Sequence, residues 1–424
     1  MSASLPEEAA LESEAAAAAP SVLHRTFSAL HYRDFRLLWF GAFTSTTGAF
    51  MQTLAQGWLV YTMTNSALLL GVDGFLATGP MLLFSLFGGV IADRLERRKI
   101  MLLSQYLQMA FALVLAALVY THTVQVWHIF VLSFLTGSAQ SFSGPAYISL
   151  LPLLVRREDV PNAIAMNSMQ FNLARVIGPA LGGLVFALWG AAFCFLVNGI
   201  SFIAVIIALS IIHIPPVHES RNRDTGMLDE MKEGFRFVLR RPKLQLLTFL
   251  AFAGTFLGIP MFTMLPVVAK SIFNLGPRGL SLLQADYGIG SVVGALFVAS
   301  SSHAVKKGKI ALLMQLAFAF TLVAFGISRT LTASLVIGFL AGACIVGVIS
   351  LYSSLVQLTT SDSMRGRVMS IFMLAFRGGM PIGNLMAGYI AQRWSISVAL
   401  AVNGTVLATI AAGFLIRRVN LDET

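Results

Sequence analysis

Asp73, Arg175, Asp286 and Arg377 are the four Asp, Glu, Lys or Arg residues that fall well inside long apolar runs of this 424-residue chain. A guanidinium keeps its proton in a protein, and at the centre of a bilayer it costs about 3 kcal/mol on insertion scales. A carboxyl group taken out of water holds its proton more tightly, and an arginine brought close to it pulls the balance back toward the ion. Acids and arginines that approach and separate therefore make a device for taking up and releasing protons. One proton crossing about 100 mV releases roughly 2.3 kcal/mol, and a pH difference of one unit adds about 1.4 kcal/mol. Asp73 and Asp286 are the candidates for proton coupling, and Arg175 and Arg377 for a charge switch or for holding an anionic substrate. Two plainer readings stand beside these. The arginines can tie helices by bonding backbone carbonyls near Pro179 and Pro381, and Asp73 can face water.

These residues need elements to hold them, and composition says which. Hydrophobic residues make up 57% of the chain and charged residues 11%, whereas a soluble domain needs about a quarter of its residues charged. Runs of about 20 apolar residues bounded by charges or turns give twelve spans: 36–61, 67–92, 100–120, 126–154, 160–188, 191–213, 244–269, 279–302, 308–328, 331–357, 366–391 and 396–416. Lipid leaves unpaired backbone groups unsatisfied, so the spans must be helices in the absence of an alternating barrel pattern. Lys270, Arg278, Arg329 and Arg393 lie on the odd-numbered connections, and 23 of the 29 Lys and Arg residues lie on the other side. This asymmetry puts both termini and the middle loop in the cytoplasm of a multi-pass protein of the inner (plasma) membrane. The net charge of +10 is thus a topology signal, with no soluble basic face for nucleic acid.

The fold class is an all-α membrane protein with twelve transmembrane helices in two pseudo-symmetric six-helix bundles. Residues 1–35 form a disordered acidic tail and a basic juxtamembrane segment, 36–213 the first bundle, 214–243 a cytoplasmic linker, and 244–424 the second bundle. Within the linker Met227, Met231, Phe235 and Val238 recur at helical spacing, which predicts an amphipathic interface helix. The bundles echo each other. Arg175 precedes Pro179 by four residues as Arg377 precedes Pro381, each before a glycine-rich stretch, and Asp73 in span two has Asp286 in span eight as its counterpart. Paired repeats around a midplane site are the basis of alternating access.

Between spans two and three the chain reads GGVIADRLERRKIML, residues 88–102. It resembles the G-x-x-x-D-R-x-x-R-R-K signature of the major facilitator superfamily. GPALGG in span five resembles the antiporter motif of drug exporters, through Gly178, Pro179, Gly182 and Gly183. MRGRVMS at 364–370 resembles the loop entering span eleven in the bacterial multidrug, macrolide and siderophore efflux branch. The resemblance implies that Gly89, Asp93, Arg94, Arg97 and Arg98 belong to a gating loop. Its pseudo-repeat, ASSSHAVKKGKIAL, has His303 where an acid is expected. It also implies that span two lies beside span eleven and span five beside span eight, so that Asp73 faces Arg377 and Asp286 faces Arg175.

Gln52 and Gln56 share a face of span one, and Asn167 and Gln170 a face of span five. With Gln140, Met261 and Met264 they are candidates for a pocket that takes a bulky amphiphile, although interhelical packing explains each singly. Cys194 and Cys344 read as small buried hydrophobes. YGIGSVVGA in span eight follows no strand and is rejected as a dinucleotide fingerprint. No Walker A, HExxH or G-x-S-x-G pattern occurs, and the seven histidines lack metal-ligand spacing. The expectation is a monomeric, non-enzymatic carrier without metal or cofactor, whose partners are a small-molecule substrate, protons and membrane lipid. It would export hydrophobic or amphiphilic drugs or siderophore-like metabolites by proton antiport. An importer or symporter of an anionic solute, and a non-transporting membrane scaffold, are the alternatives.

Overall fold

Every long apolar run within the described residues is helical, and the ends of the helices follow local chemistry. The computed structural model describes residues 27–84, 96–213, 227–300, 306–417 and 421. Helix α1, Arg33–Thr64, ends at Asn65 in the left-handed conformation with φ 49°. Helix α2, Ala67–Phe84, is capped by the Ser66 hydroxyl, which accepts from the Leu69 amide at 3.2 Å. Helices α3 (Arg97–Tyr120) and α4 (Val126–Leu150) follow. Helix α5, Val160–Trp189, stops at Gly190 with φ 87°, and α6 spans Ala191–Ile211. The linker helix α7 is Met227–Leu239. Helix α8, Pro242–Gly258, continues through two short helices, Pro260–Thr263 and Leu265–Ser271, each started by a proline in its first turn. The remaining helices are α9 (Pro277–Ser300), α10 (Lys307–Ile327), α11 (Leu331–Leu358), α12 (Asp362–Arg393) and α13 (Ile396–Ile416).

Among the described residues ten helices are long and apolar enough to cross a membrane, not the twelve expected. The two that fall short are α1 and α4. Their 32 and 25 residues correspond to about 48 and 37 Å, longer than the roughly 30 Å hydrocarbon core. Polarity lowers them. α1 carries Thr44, Ser45, Thr46, Thr47, Gln52, Thr53 and Gln56, and α4 carries Ser133, Thr136, Ser138, Gln140, Ser141 and Ser143. Polar groups at membrane depth belong on the protein's interior faces, and Ser45, Thr47, Ser133, Ser141 and Ser143 are buried.

Neighbours repeat on either side of α7. Helix α1 packs on α5 and α6, α3 on α4 and α6, and α2 on α4; correspondingly α8 packs on α12 and α13, α10 on α11 and α13, and α9 on α11. The two sets meet mainly along α2–α12 and α5–α9, the adjacencies the family resemblance implied. The linker helix lies on α12, where Gly234 approaches Arg367 and Ile371, and Glu233 pairs with Arg367 at 2.7 Å. At the linker end, the turn before α1 is held to the α4–α5 connection: Ser28 and Tyr32 hydroxyls each donate to Asp159 at 2.6 Å.

The glycines of GPALGG bring α5 against two neighbours. A Cβ on Gly178 would stand 2.7 Å from the Thr47 carbonyl oxygen, and one on Gly182 3.1 Å from the Met51 side chain, both on α1. A Cβ on Gly183 would collide with Ser281 of α9. Small residues thus permit backbone-to-backbone packing, the main source of helix association in lipid. Cys194 is fully buried with its Sγ toward the Gly182 carbonyl, and Cys344 is partly buried; both are free. Gly178→Val is expected to destabilise the protein by about 1–3 kcal/mol, as overpacking does. Gly413→Val, where a Cβ meets nothing within 4 Å, should not. Thermal unfolding of the two variants in the same detergent checks this.

Candidate functional site: a buried carboxylate and the seam between the helix sets

Asp73 lies on α2 with 6% of its surface exposed. Its carboxylate accepts from Gln56 Nε2 of α1 at 3.1 and 2.9 Å and from the Ser133 hydroxyl of α4 at 2.5 Å. The same Gln56 amide lies 2.8 Å from Ser133 Oγ. The chain of donors continues: Gln52 Nε2 reaches Gln56 Oε1 at 3.4 Å, and Asn198 Nδ2 of α6 donates to Gln52 Oε1 at 2.6 Å. One polar string therefore joins α6, α1, α2 and α4, with its donors directed toward a single carboxylate. Gln52 and Gln56, expected in a substrate pocket, instead bond to one another and toward Asp73 and Asn198; Asp73 was singled out from the sequence. The sequence reading missed Ser133, isolated in FVLSFL, and Asn198, isolated in FLVNGIS, although a lone polar residue in an apolar helix is itself a signal.

The expected ion pairs are absent. Arg377 Nη1 lies 3.1 Å from Met81 Sδ on α2, and Met81 is eight residues beyond Asp73, about 12 Å along the helix. Asp73 meanwhile turns toward α1 and α4. On the other seam, α9 meets α5 backbone to backbone, since a Cβ on Gly288 would be 3.0 Å from the Arg175 carbonyl oxygen. Residues two apart on a helix point about 200° apart, so Asp286 faces away from α5. Its Oδ2 is directed at Gly338 of α11, where a Cβ would approach to 3.2 Å, and this oxygen has no hydrogen-bond partner among the described residues. Arg175 is partly buried, with its guanidinium carbon 5.1 Å from the centre of the Phe171 ring, one turn back on α5.

The other predicted residues separate. Met261 and Met264 are 2% and 0% exposed in the main apolar core, so they pack and do not line a pocket. Gln170 is buried with its Nε2 without a partner among the described residues, Asn167 is partly buried, and Gln140 is exposed. Gly89, Asp93, Arg94 and His303 lie outside the described residues. Arg97 opens α3. Arg98 donates to the Ser210 carbonyl in the last turn of α6 at 2.5 Å. It serves a helix C-terminus, where cations are favoured, within one helix set and not across the seam.

At the end of the helices remote from α7, the two sets touch. Tyr61 and Ser271 hydroxyls lie 2.6 Å apart, and the Ala67 amide donates to Gln392 Oε1 at 2.8 Å. A cavity of about 530 Å³ sits there, lined from both sets by Tyr61, Asn65, Ser271, Arg329, Gln392 and Ser397. The seam also includes the Arg175–Gly288 and Leu82–Gly378 contacts. Farther toward the linker end, Leu83 on α2, Met169 and Phe171 on α5, and Leu296 and Phe297 on α9 are exposed.

The model of the transmembrane secretion effector family matches residues 24–424. The chain belongs to this family of major facilitator superfamily transporters. It is 23% identical over 384 residues to macrolide efflux protein A of Streptococcus pyogenes, covering 89% of this chain and 94% of the relative. It is 28% identical over 397 residues to the enterobactin exporter EntS of Escherichia coli O1:K1, covering 91% and 92%. Among solved structures, a D-xylose-proton symporter aligns with a TM-score of 0.74 at 12% identity, covering 92% of this chain and 99% of that one. The chain is a multi-pass membrane transporter with efflux-pump relatives, and not an enzyme.

Two hydrogen bonds among the described residues, Tyr61–Ser271 and Ala67–Gln392, add to the helix packing at the remote closure. Tyr61→Phe combined with Gln392→Ala removes both hydrogen bonds and should shift the population toward the form open at that end. A cysteine placed at Asn65 is expected to react with a membrane-impermeant maleimide several-fold faster in this background, since loss of about 1–1.5 kcal/mol corresponds to roughly five- to tenfold.

Proposed function

We propose that this transporter is a proton-coupled exporter of hydrophobic or amphiphilic small molecules, working by alternating access between two pseudo-symmetric six-helix bundles on either side of α7. The observation that carries the coupling is Asp73: a buried carboxylate held by neutral donors of α1 and α4, with no ion-pair partner among the described residues. A carboxylate without a counter-cation is the group that takes a proton when water or substrate leaves its surroundings. Ser133 Oγ can accept from the protonated acid, so both states keep a partner.

The seam supports an assignment of state. The helix sets meet at the end remote from the linker through Tyr61–Ser271 and Ala67–Gln392, a closure that suits a carrier open to the side where the linker lies. The positive-inside asymmetry makes that side the cytoplasm of the inner membrane. Substrate would enter there. The sets would then rock about the Arg175–Gly288 and Leu82–Gly378 contacts, and protonation at Asp73 would reset the carrier after release outside. Arg175, stacked on Phe171, offers a cation beside an aromatic face. Bulky ring-bearing compounds with an acidic or polar edge suit that combination, and the names of the relatives, a macrolide and a siderophore exporter, agree with it. Asp286, directed at Gly338, is the second titrating candidate.

Inverted membrane vesicles acidified by ATP hydrolysis should accumulate a fluorescent amphiphilic dye, and a protonophore should collapse the uptake. Asp73→Asn is expected to abolish accumulation while expression and dye binding persist. Undiminished uptake in that variant overturns the proton assignment, and no uptake of any amphiphile by the wild type favours a scaffold. Arg175→Lys should lose most transport despite its retained charge, because a lysine cannot lay a planar guanidinium over a ring. Concentrative uptake assays with anionic solutes test the importer alternative.

A further inference from the structure

Between α7, α8 and α12 lies a groove of about 580 Å³ that has no part in the site described above. Its size falls in the roughly 300–1,000 Å³ range of small-ligand sites. Phe249 and Phe252 of α8 form one wall, and Ile371 and Leu374 of α12 the other. Ala375 also lines it, with only a methyl side chain. The linker helix covers one end with Phe235 and Leu239, which remain 56% and 55% exposed beside Phe249 at 48%. Such aromatic and aliphatic surface, left uncovered by the protein, is a place for hydrocarbon.

The linker helix also sets the charge of the groove's edge. Lys232 lines it. Arg236 and Arg240 follow at i+4 and i+8, each about 40° farther round the helix, so the three form a basic column alongside the apolar arc of Phe235 and Leu239. Both arginines are exposed. Of the three acids on this helix, Asp229, Glu230 and Glu233, the last is turned to Arg367 on α12 at 2.7 Å and is thereby taken out of the column. Val238 and Gly234 face inward against the neighbouring helices, which fixes the helix's rotation and keeps both features on the outside. An apolar slot bordered by cations matches an amphiphile with a hydrocarbon tail and a negative head.

We propose that this groove is a binding site for an anionic phospholipid of the leaflet in which α7 lies, with an acyl chain between α8 and α12 and its phosphate at the Lys232–Arg236–Arg240 column. Phosphatidylcholine has the same tails and no net charge, and glycerol phosphate has the charged head and no tails, so the two separate the contributions. The seat bridges the linker helix and two membrane helices, and its occupancy stiffens their junction.

The test uses the full-length purified protein in detergent. Native mass spectrometry and thermal unfolding are read with phosphatidylglycerol, with phosphatidylcholine of identical chains, and with glycerol phosphate. Phosphatidylglycerol should remain bound and raise the melting temperature, phosphatidylcholine should do so weakly, and glycerol phosphate not at all. Replacing Lys232, Arg236 and Arg240 by Gln should reduce the preference for phosphatidylglycerol over phosphatidylcholine roughly tenfold or more. Ala375→Trp, which fills the slot, should weaken retention of both lipids while leaving the basic column intact. Equal effects of the two lipids on the wild type overturn the proposal. So does glycerol phosphate matching the lipid, which marks an anion site alone, or full lipid retention in Ala375→Trp. Should the triple variant fail to fold, Ala375→Trp alone decides.

Discussion

A carboxylate shut away from water must be met by donors or take a proton, and Asp73 is met by donors from two other helices. Gln56 spans both carboxylate oxygens, Ser133 closes the remaining side, and Gln52 and Asn198 hold Gln56 in turn. Four helices are tied through this one group. The arrangement explains why α1 and α4 are the polar members of the fold. Ser45, Thr47, Ser133, Ser141 and Ser143 are buried inside the protein, where a lipid-facing helix has no use for them.

The second carboxylate stands in a different setting, despite its matching place in the repeat. Helices α9 and α11 approach through Gly290 and Gly294 on one and Gly338 and Gly342 on the other, four residues apart in each case. Asp286 precedes Gly290 by four and so falls on the same stripe, directed at Gly338 with Oδ2 unpartnered. Where the first helix set surrounds its acid with amides and hydroxyls, the second presses its acid against bare backbone. The two halves thus share helix neighbours while differing in the chemistry at equivalent positions.

The apolar runs and their helical state were legible in hydropathy, the family in three short motifs, and the helix adjacencies in what the resemblance to that family implies. The partners of the embedded charges were not. Adjacency of α2 with α12 says nothing of depth, and Arg377 sits at the level of Met81. Adjacency of α5 with α9 says nothing of rotation, and the choice of Gly288 as the contact sends Asp286 to the far side of its helix. Met261 and Met264 looked like pocket residues because flexible thioethers suit amphiphiles, yet the same flexibility fills cores. Asn198 and Ser133 were visible as lone polar residues in apolar runs, and a search for such residues finds the string around Asp73. Gln392, which closes the remote end from a helix terminus, has no comparable mark.

The interruptions after α8 bear on how that end parts. Pro260 and Pro266 each lack an amide hydrogen, so the rod is divided into three pieces joined at Ile259 and Met264. The last piece carries Ser271, which meets Tyr61, and Pro266, which lies against Gly57. Leu265, Val267, Val268 and Ala269 of that piece are buried in the core, so the seal at Tyr61 is anchored by packing and parts only when the neighbouring helices move with it.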